Sequence, residues 1–468
     1  MSAHSLGRRP YAVPRPLTVH HTGDRLDRLG AWVFGLSLAG LSAAIVTNAG
    51  AVILEFHSSL PVTEGLTATL GVQVVAHHMR RWRSGLRDLR GLRAVVVVFG
   101  AYVAVTLAST LWAAQPDVAL AGVVGTVTDL VIVGVLILAV RDERDVRWIM
   151  GGLLAGAGTV AVLVALQTAT GNYDLTFGGF AQASVAHIAG DLDDVRAVGP
   201  YEDPNFFAQM MVSVLPLAIA VALAPVRWPI RALATVLAAT MLVTVITTFS
   251  RGAVLALVVV IGAMIYRYRA HRAVVAGAIG LGVVALLALP AEYTARITAL
   301  TDVVSAGGAA GAEDPSLQGR TSEMTAAVQM FADRPLGGVG YGNYPQLYQD
   351  YAPWIGLDPR REPREAHSLY LEVASETGAL GVAVLIIGLA LARARIVRGR
   401  RQLQAAGATH RLLTLDALGL ALIAFLVTSV FLHGAYPRVF WLLFGLALIA
   451  PWPVRLRPAA PRTGVVAR

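Results

Sequence analysis

The feature that most constrains this chain is the recurrence of apolar stretches about 20 residues long, the length a helix needs to cross the hydrocarbon core of a bilayer. They fall at 30–54, 60–79, 94–114, 118–140, 148–168, 205–225, 230–249, 252–268, 273–289, 368–392, 412–432 and 439–454. Twelve spans are expected, the second rather polar and the last rather short. In lipid every backbone polar group must be satisfied inside the protein, which a helix does span by span. The expected fold class is therefore all-α, a polytopic integral membrane protein. With 56% apolar and 14% charged residues, composition excludes an ordinary soluble domain.

A miscounted span would scramble the placement of basic residues, because cytoplasmic loops hold an excess of them. Every one of the 38 basic residues is Arg, a bias that fits a GC-rich coding sequence, so the net charge of +9 is not read as a nucleic-acid surface. With the N-terminus inside, 29 of the 38 Arg fall on the cytoplasmic side, in the segments 80–93, 141–147, 227–231, 267–272 and 393–411 and in both tails. The nine outside are Arg196, Arg251, Arg296, Arg320, Arg334, Arg360, Arg361, Arg364 and Arg438. They sit where basic residues are disfavoured and need a reason to be there.

The same topology sets the domain expectations. Residues 1–29 are polar and Arg-rich without the apolar core of a secretory signal, and read as a disordered cytoplasmic tail. Residues 30–454 are the transmembrane domain, and 455–468 a cytoplasmic C-terminal tail. The absence of cysteine excludes disulfides, thiolate nucleophiles and cysteine metal sites.

Two extracytoplasmic segments are long enough to do more than connect helices: 169–203, and the larger 290–367 between spans nine and ten. In the larger one, Ser305 to Gly319 reads as mobile, and Thr321 to Asp333 as an amphipathic helix from the spacing of Met324, Ala327, Val328 and Phe331. It would lie on the membrane or on the bundle. The glycines of 335–343 follow no strand, which excludes a dinucleotide loop. Tyr341, Tyr344, Tyr348, Tyr351 and Trp354 suit either an interfacial aromatic belt or stacking on sugar rings.

His367 closes this segment. A neutral imidazole at a membrane boundary can take a proton from a hydroxyl, since its reference pKa lies near neutrality. Glu372 and Glu376 follow one helical turn apart, and either orient that site or brace the helix. Asp203-Pro204 reads as the cap and first residue of a helix start.

The run His367-Ser-Leu-Tyr-Leu-Glu-Val-Ala-Ser-Glu-Thr-Gly378 is preceded by Arg334-Pro-Leu-Gly-Gly-Val-Gly340 with Asn343, by Ser250-Arg251-Gly252 and by Gly199-Pro-Tyr-Glu-Asp-Pro-Asn205. In this order and spacing the motifs resemble the O-antigen ligase and Wzy-type polymerase superfamily, most strongly over 235–390. The resemblance implies a GT-C-like membrane glycosyltransferase of the cell (inner or plasma) membrane. Such an enzyme moves a glycan from a polyprenyl-diphosphate donor to a hydroxyl of a glycan, glycolipid or protein acceptor on the extracytoplasmic face. It implies inversion at the anomeric carbon, no metal and no cofactor, and room for a complex with other polysaccharide-assembly proteins. By the same resemblance His367 is the catalytic base, and Arg196, Arg251, Arg320 and Asn205 bind substrate.

Arginine suits the leaving group on chemical grounds, because a guanidinium holds phosphate oxygens in pairs and stays charged. Arg196 could instead pair with Asp193 or Asp194, and Arg251 and Arg320 could simply end their helices. Asp191-Leu-Asp193 has metal-binding D-x-D spacing, but falls on the face where nucleotide sugars are absent. A second class, a transporter or flippase of lipid-linked glycans, would need ionisable groups near the midplane. Asp129 is the one clear candidate.

Overall fold

This computed structural model describes residues 22–49, 62–82, 90–189, 192–201, 203–268, 315–355, 364–434 and 437–452. They form α1 (Thr22–Val46), α2 (Val62–Trp82), α3 (Arg90–Ser109), α4 (Pro116–Ala139), α5 (Glu143–Thr170), β1 (Gln182–Ala189), β2 (Leu192–Gly199), α6 (Pro204–Leu223), α7 (Trp228–Thr247), α8 (Arg251–Tyr268), α9 (Pro315–Asp333), α10 (Tyr344–Ile355), α11 (Leu369–Ala405), α12 (Thr409–Thr428) and α13 (Pro437–Leu448).

Eight of these helices, α3 to α8, α11 and α12, are long and apolar enough to cross a membrane. The apolar parts of α1, α2 and α13 are shorter, at Gly30–Val46, Gly65–Ala76 and Pro437–Leu448. The ninth expected span, 273–289, lies outside the described residues, as do the tail residues 1–21 and 453–468 and most of the stretch read as mobile.

Local chemistry sets the helix ends. Asp203 accepts from Asn205 N at 2.6 Å and Pro204 opens α6, as the sequence predicts. Asp142 caps α5 in the same way, and Gly171 ends it with φ 65°. In lipid, helices associate by close packing of small residues. Gly152 and Gly156 of α5 accordingly lie directly on Ala39 and Ala43 of α1, with no room for a Cβ. α6 is the most enclosed span, flanked by α5, α7, α8 and α12.

The two ends of the bundle differ. At one end, basic segments from four helices meet buried acids: Arg267 and Arg400 reach Asp416 at 2.8 and 3.0 Å, Arg147 and Arg411 reach Glu143 at 3.0 and 2.6 Å, and Arg141 reaches Asp145 at 2.8 Å. These belong to the segments expected on the cytoplasmic side. The other end carries the long connections and is called the loop end below.

There the all-α expectation is incomplete. Residues 182–199 form an antiparallel hairpin of β1 and β2, packed by β2 against α5, α6 and α7. It is tied down by Gln167, whose amide donates to the carbonyls of Tyr173, Leu175 and Ala181.

α13 is a half-span for a physical reason. Arg438 in its first turn meets Asp129, which lies about 20 Å along α4 from Pro116 at 1.5 Å per residue. Residues 430–434, which follow α12, are non-helical. Irregular backbone at that depth needs partners within the protein. Glu372 supplies one, accepting from Gly434 N at 2.7 Å.

Candidate functional site

The N-terminal part of α11 is a frame on which two loops are fastened. Leu369 N donates to the carbonyls of Ser429 and Leu432 at 3.0 and 2.7 Å, which with the Glu372 bond secures the turn after α12. Glu376, fully enclosed, accepts from the backbone N–H groups of Tyr344 and Gly342, which secures the glycine-rich loop. That loop also runs alongside α11, with Val339 N to Ser375 O at 2.8 Å, Gly340 N to Glu376 O at 3.0 Å and Ala379 N to Pro335 O at 2.8 Å.

Gly378 makes this pairing possible. Its φ of 64° and ψ of −160° break the helix at a conformation reserved for glycine and open α11 to the loop. Both glutamates thus brace loops through their carboxylate oxygens.

His367 sits two residues before the first helical residue, in left-handed backbone with φ 45°. Non-glycine residues adopt that region uncommonly, histidine more than most, and often at functional sites. Its Nε2 lies 3.4 Å from Glu323 Oε2. Burial, then the positive field of Arg320 and that of Arg364, push its pKa down to about 4 against the pull of Asp203. The imidazole is therefore neutral at physiological pH, the state a general base requires.

His433 lies in the turn after α12, and nothing local in the sequence singles it out. Its ring packs edge-on against His367 at 5.8 Å and against Phe206 at 5.0 Å. Burial likewise lowers its pKa to about 4. It lines a cavity of about 60 Å³ with Tyr102, Tyr341, Glu372, Glu376 and Trp441.

The predicted site residues fall into two groups. The charges of Arg320 and Arg364 act on His367, as does that of Asp203 at the start of α6. Asn205 is in the first turn of α6, two residues beyond Asp203. Arg196 Nε donates to Thr248 O at 2.8 Å, at the end of α7, three residues before Arg251 opens α8. The side chains of Asp193 and Asp194, its alternative partners, lie outside the described residues.

The turn after α12 links the two groups. Phe431 lies over Gly252, next to Arg251, and His433 lies on His367.

Other expectations need correction. Tyr344 and Tyr348 neither stack on sugars nor form a belt: both are buried, Tyr344 donating to Glu323 O at 2.6 Å and Tyr348 bonding Ser322 Oγ at 2.8 Å. Asn343 joins Gln115, accepting from its N at 2.6 Å and donating to its O at 3.2 Å. The packed face of α9 is Ser322, Glu323, Ala326, Ala327 and Met330, whereas Val328 is 52% exposed. That helix rests on α10 and α11. Sequence reasoning missed Glu323, although an acid at helical spacing from Ala326, Ala327 and Met330 was the available signal. Arg334 donates to Trp112 O at 3.0 Å. Arg296, Arg360 and Arg361 lie outside the described residues.

His367, Glu323, Arg320 and Arg251 all come from one stretch of the chain, from α8 to the start of α11. Residues 236–386 match the O-antigen ligase family model (Wzy_C). The match supports the O-antigen ligase and Wzy family to which the motifs point. It begins within α7 and covers α8, α9, α10 and the first half of α11, hence Arg251, Arg320, Glu323 and His367. Arg196, Asn205 and His433 lie outside it. No curated protein matches the chain.

Proposed function

We propose that this O-antigen ligase-like protein transfers a glycan from a polyprenyl-diphosphate donor to an acceptor hydroxyl, with the loop end facing the extracytoplasmic side of the cell membrane. The observation that carries the reading is His367: a neutral imidazole in strained backbone, inside the matched region, at the end of the bundle where the loops gather. The acceptor oxygen gives its proton to His367 as it attacks the anomeric carbon, with inversion. The bond to the diphosphate oxygen breaks and its electron pair leaves with the lipid diphosphate. A positioned base of this kind contributes about 10²–10⁴ in rate.

Arg251 and Arg196, at the α7–α8 turn, hold the diphosphate by paired hydrogen bonds, and Arg320 sits nearer the base. Asn205, in the first turn of α6, adds a polar contact. Residues 1–29 and 455–468 are cytoplasmic tails on this reading, and 290–367 is the extracytoplasmic segment that meets the acceptor.

Deletion of the gene, followed by analysis of lipid-linked intermediates and surface glycans, tests the function. Loss of a polymerase leaves single units on their carriers, whereas loss of a ligase leaves finished chains unattached. His367→Ala and Arg251→Ala, expressed at wild-type level in the deletion strain, are expected to reproduce the deletion. Full restoration by either variant overturns its assignment.

A further inference from the structure

Glu323 is an acid where the packing has little use for one. It lies one helical turn from Arg320, its side chain 4% exposed, on the face of α9 built from Ala326, Ala327 and Met330. A carboxylate removed from water is costly unless it is paired. Its two oxygens face two partners, Oε2 lying 3.4 Å from His367 Nε2 and Oε1 lying 3.9 Å from Arg364 Nη1. The helix is anchored beneath it: the Tyr344 hydroxyl donates to the carbonyl of Glu323 itself, and the side chain of the preceding Ser322 bonds the Tyr348 hydroxyl. Both tyrosines are buried, so the turn of α9 that carries Glu323 is fixed with its carboxylate facing the imidazole.

A neutral imidazole carries one proton, and which nitrogen holds it is set by what the other groups can accept. A carboxylate only accepts. Next to Glu323 the proton therefore belongs on Nε2, and the lone pair on Nδ1. Nδ1 is buried and has no hydrogen-bond partner among the described residues. A buried nitrogen without a partner calls for an explanation, and a role as proton acceptor supplies one for His367; the Nδ1 atoms of His410 and His433 are in the same state.

We infer that Glu323 is the positioning residue of His367: it fixes the Nε2–H tautomer so that Nδ1 takes the proton of the acceptor hydroxyl, and it offsets the positive charge that the imidazole then carries. Arg364 holds the far oxygen of Glu323 and completes an order Arg364, Glu323, His367. The step balances without a further reactant. The proton moves from the acceptor oxygen to Nδ1, the glycosidic bond forms as the bond to diphosphate breaks, and His367 later returns the proton to water. This inference rests on His367 being the base.

The purified enzyme, assayed with lipid-diphosphate donor, tests it. Glu323→Gln keeps the shape but removes the charge and can turn an N–H toward the imidazole. It is expected to lower kcat by about 10²–10⁴-fold with the donor KM unchanged, and to move the acid limb of the residual activity to lower pH. A merely structural acid would leave that limb in place. Wild-type kcat and an unmoved limb in Glu323→Gln overturn the inference.

Should the variant not accumulate, ¹⁵N spectra of histidine-labelled wild-type enzyme decide, with the His367 signals assigned by their loss in His367→Gln. An Nε2–H tautomer supports the inference and an Nδ1–H tautomer overturns it. The two readings fail separately. Full activity in His367→Ala removes the base itself, whereas an inactive His367→Ala beside a wild-type Glu323→Gln removes only the role of Glu323.

Discussion

Gly338 and Gly378 lock the glycine-rich loop to α11 reciprocally: a Cβ on Gly338 would strike the backbone of Glu376 and Thr377, and a Cβ on Gly378 would strike that of Leu336 and Gly337. Both also have positive φ, 71° and 64°. Gly338→Ala and Gly378→Ala are each expected to cost about 1–3 kcal/mol in backbone strain alone, with more from the clash. Thermal melting in detergent checks this. Gly125→Ala, at a helical site with open space around it, should leave the melt unchanged or raise it.

The depressed pKa values of His367 and His433, both about 4 against an ordinary 6.5, predict the pH response. Between those values the unfolded chain binds protons that the folded one does not, so stability is full above about pH 6.5 and is lost as pH falls toward 4. Activity should likewise hold well below pH 6.5, because the base stays unprotonated. A pH profile of kcat/KM with an acid limb near 6.5 would contradict the burial of His367.

Glu372 is expected to matter through its acceptor oxygens. Glu372→Ala leaves Gly434 N unsatisfied within the bundle, a loss of about 1–3 kcal/mol, and frees the turn that carries His433. Glu372→Gln retains an oxygen for that N–H and should keep most of the stability. Parallel melting curves and transfer assays of the two variants separate these outcomes.

Asp129, the acid the sequence offers for coupling transport to ions, is paired with Arg438. Arg438→Ala alone should destabilise by about 3–5 kcal/mol, since it strands a charge in the membrane. Asp129→Asn combined with Arg438→Gln should recover most of that loss and keep glycan transfer. Loss of transfer in a stable double variant would restore the transporter reading.

Much of the framework was legible in the sequence because its signals are local. The apolar stretches, the Asp203-Pro204 helix start and the His367 run each declare themselves within a few residues. Glu323 does not, because its partner lies 44 residues further along the chain and the meeting depends on which face α9 turns to α11. The expected face of Met324, Ala327, Val328 and Phe331 was rotated from the real one by tertiary packing, which sequence spacing alone does not fix. The roles of Glu372 and Glu376 were hidden for a different reason. Their partners are backbone N–H groups, which every residue but proline carries and which leave no mark in a sequence. The hairpin had a signal, Gly190-Asp191 between two short runs, but too little alternation to outweigh a loop.

The pairing of the glycine-rich loop with the broken helix bears on inheritance. A protein whose glycine-rich loop is exchanged for that of a relative cannot take residues 315–355 alone, because the fit is written on two separated stretches of chain. A working chimaera must import 367–380 with them. Acceptor choice and chemical step are then expected to travel as one unit when such proteins recombine, and to diverge separately only by point substitution.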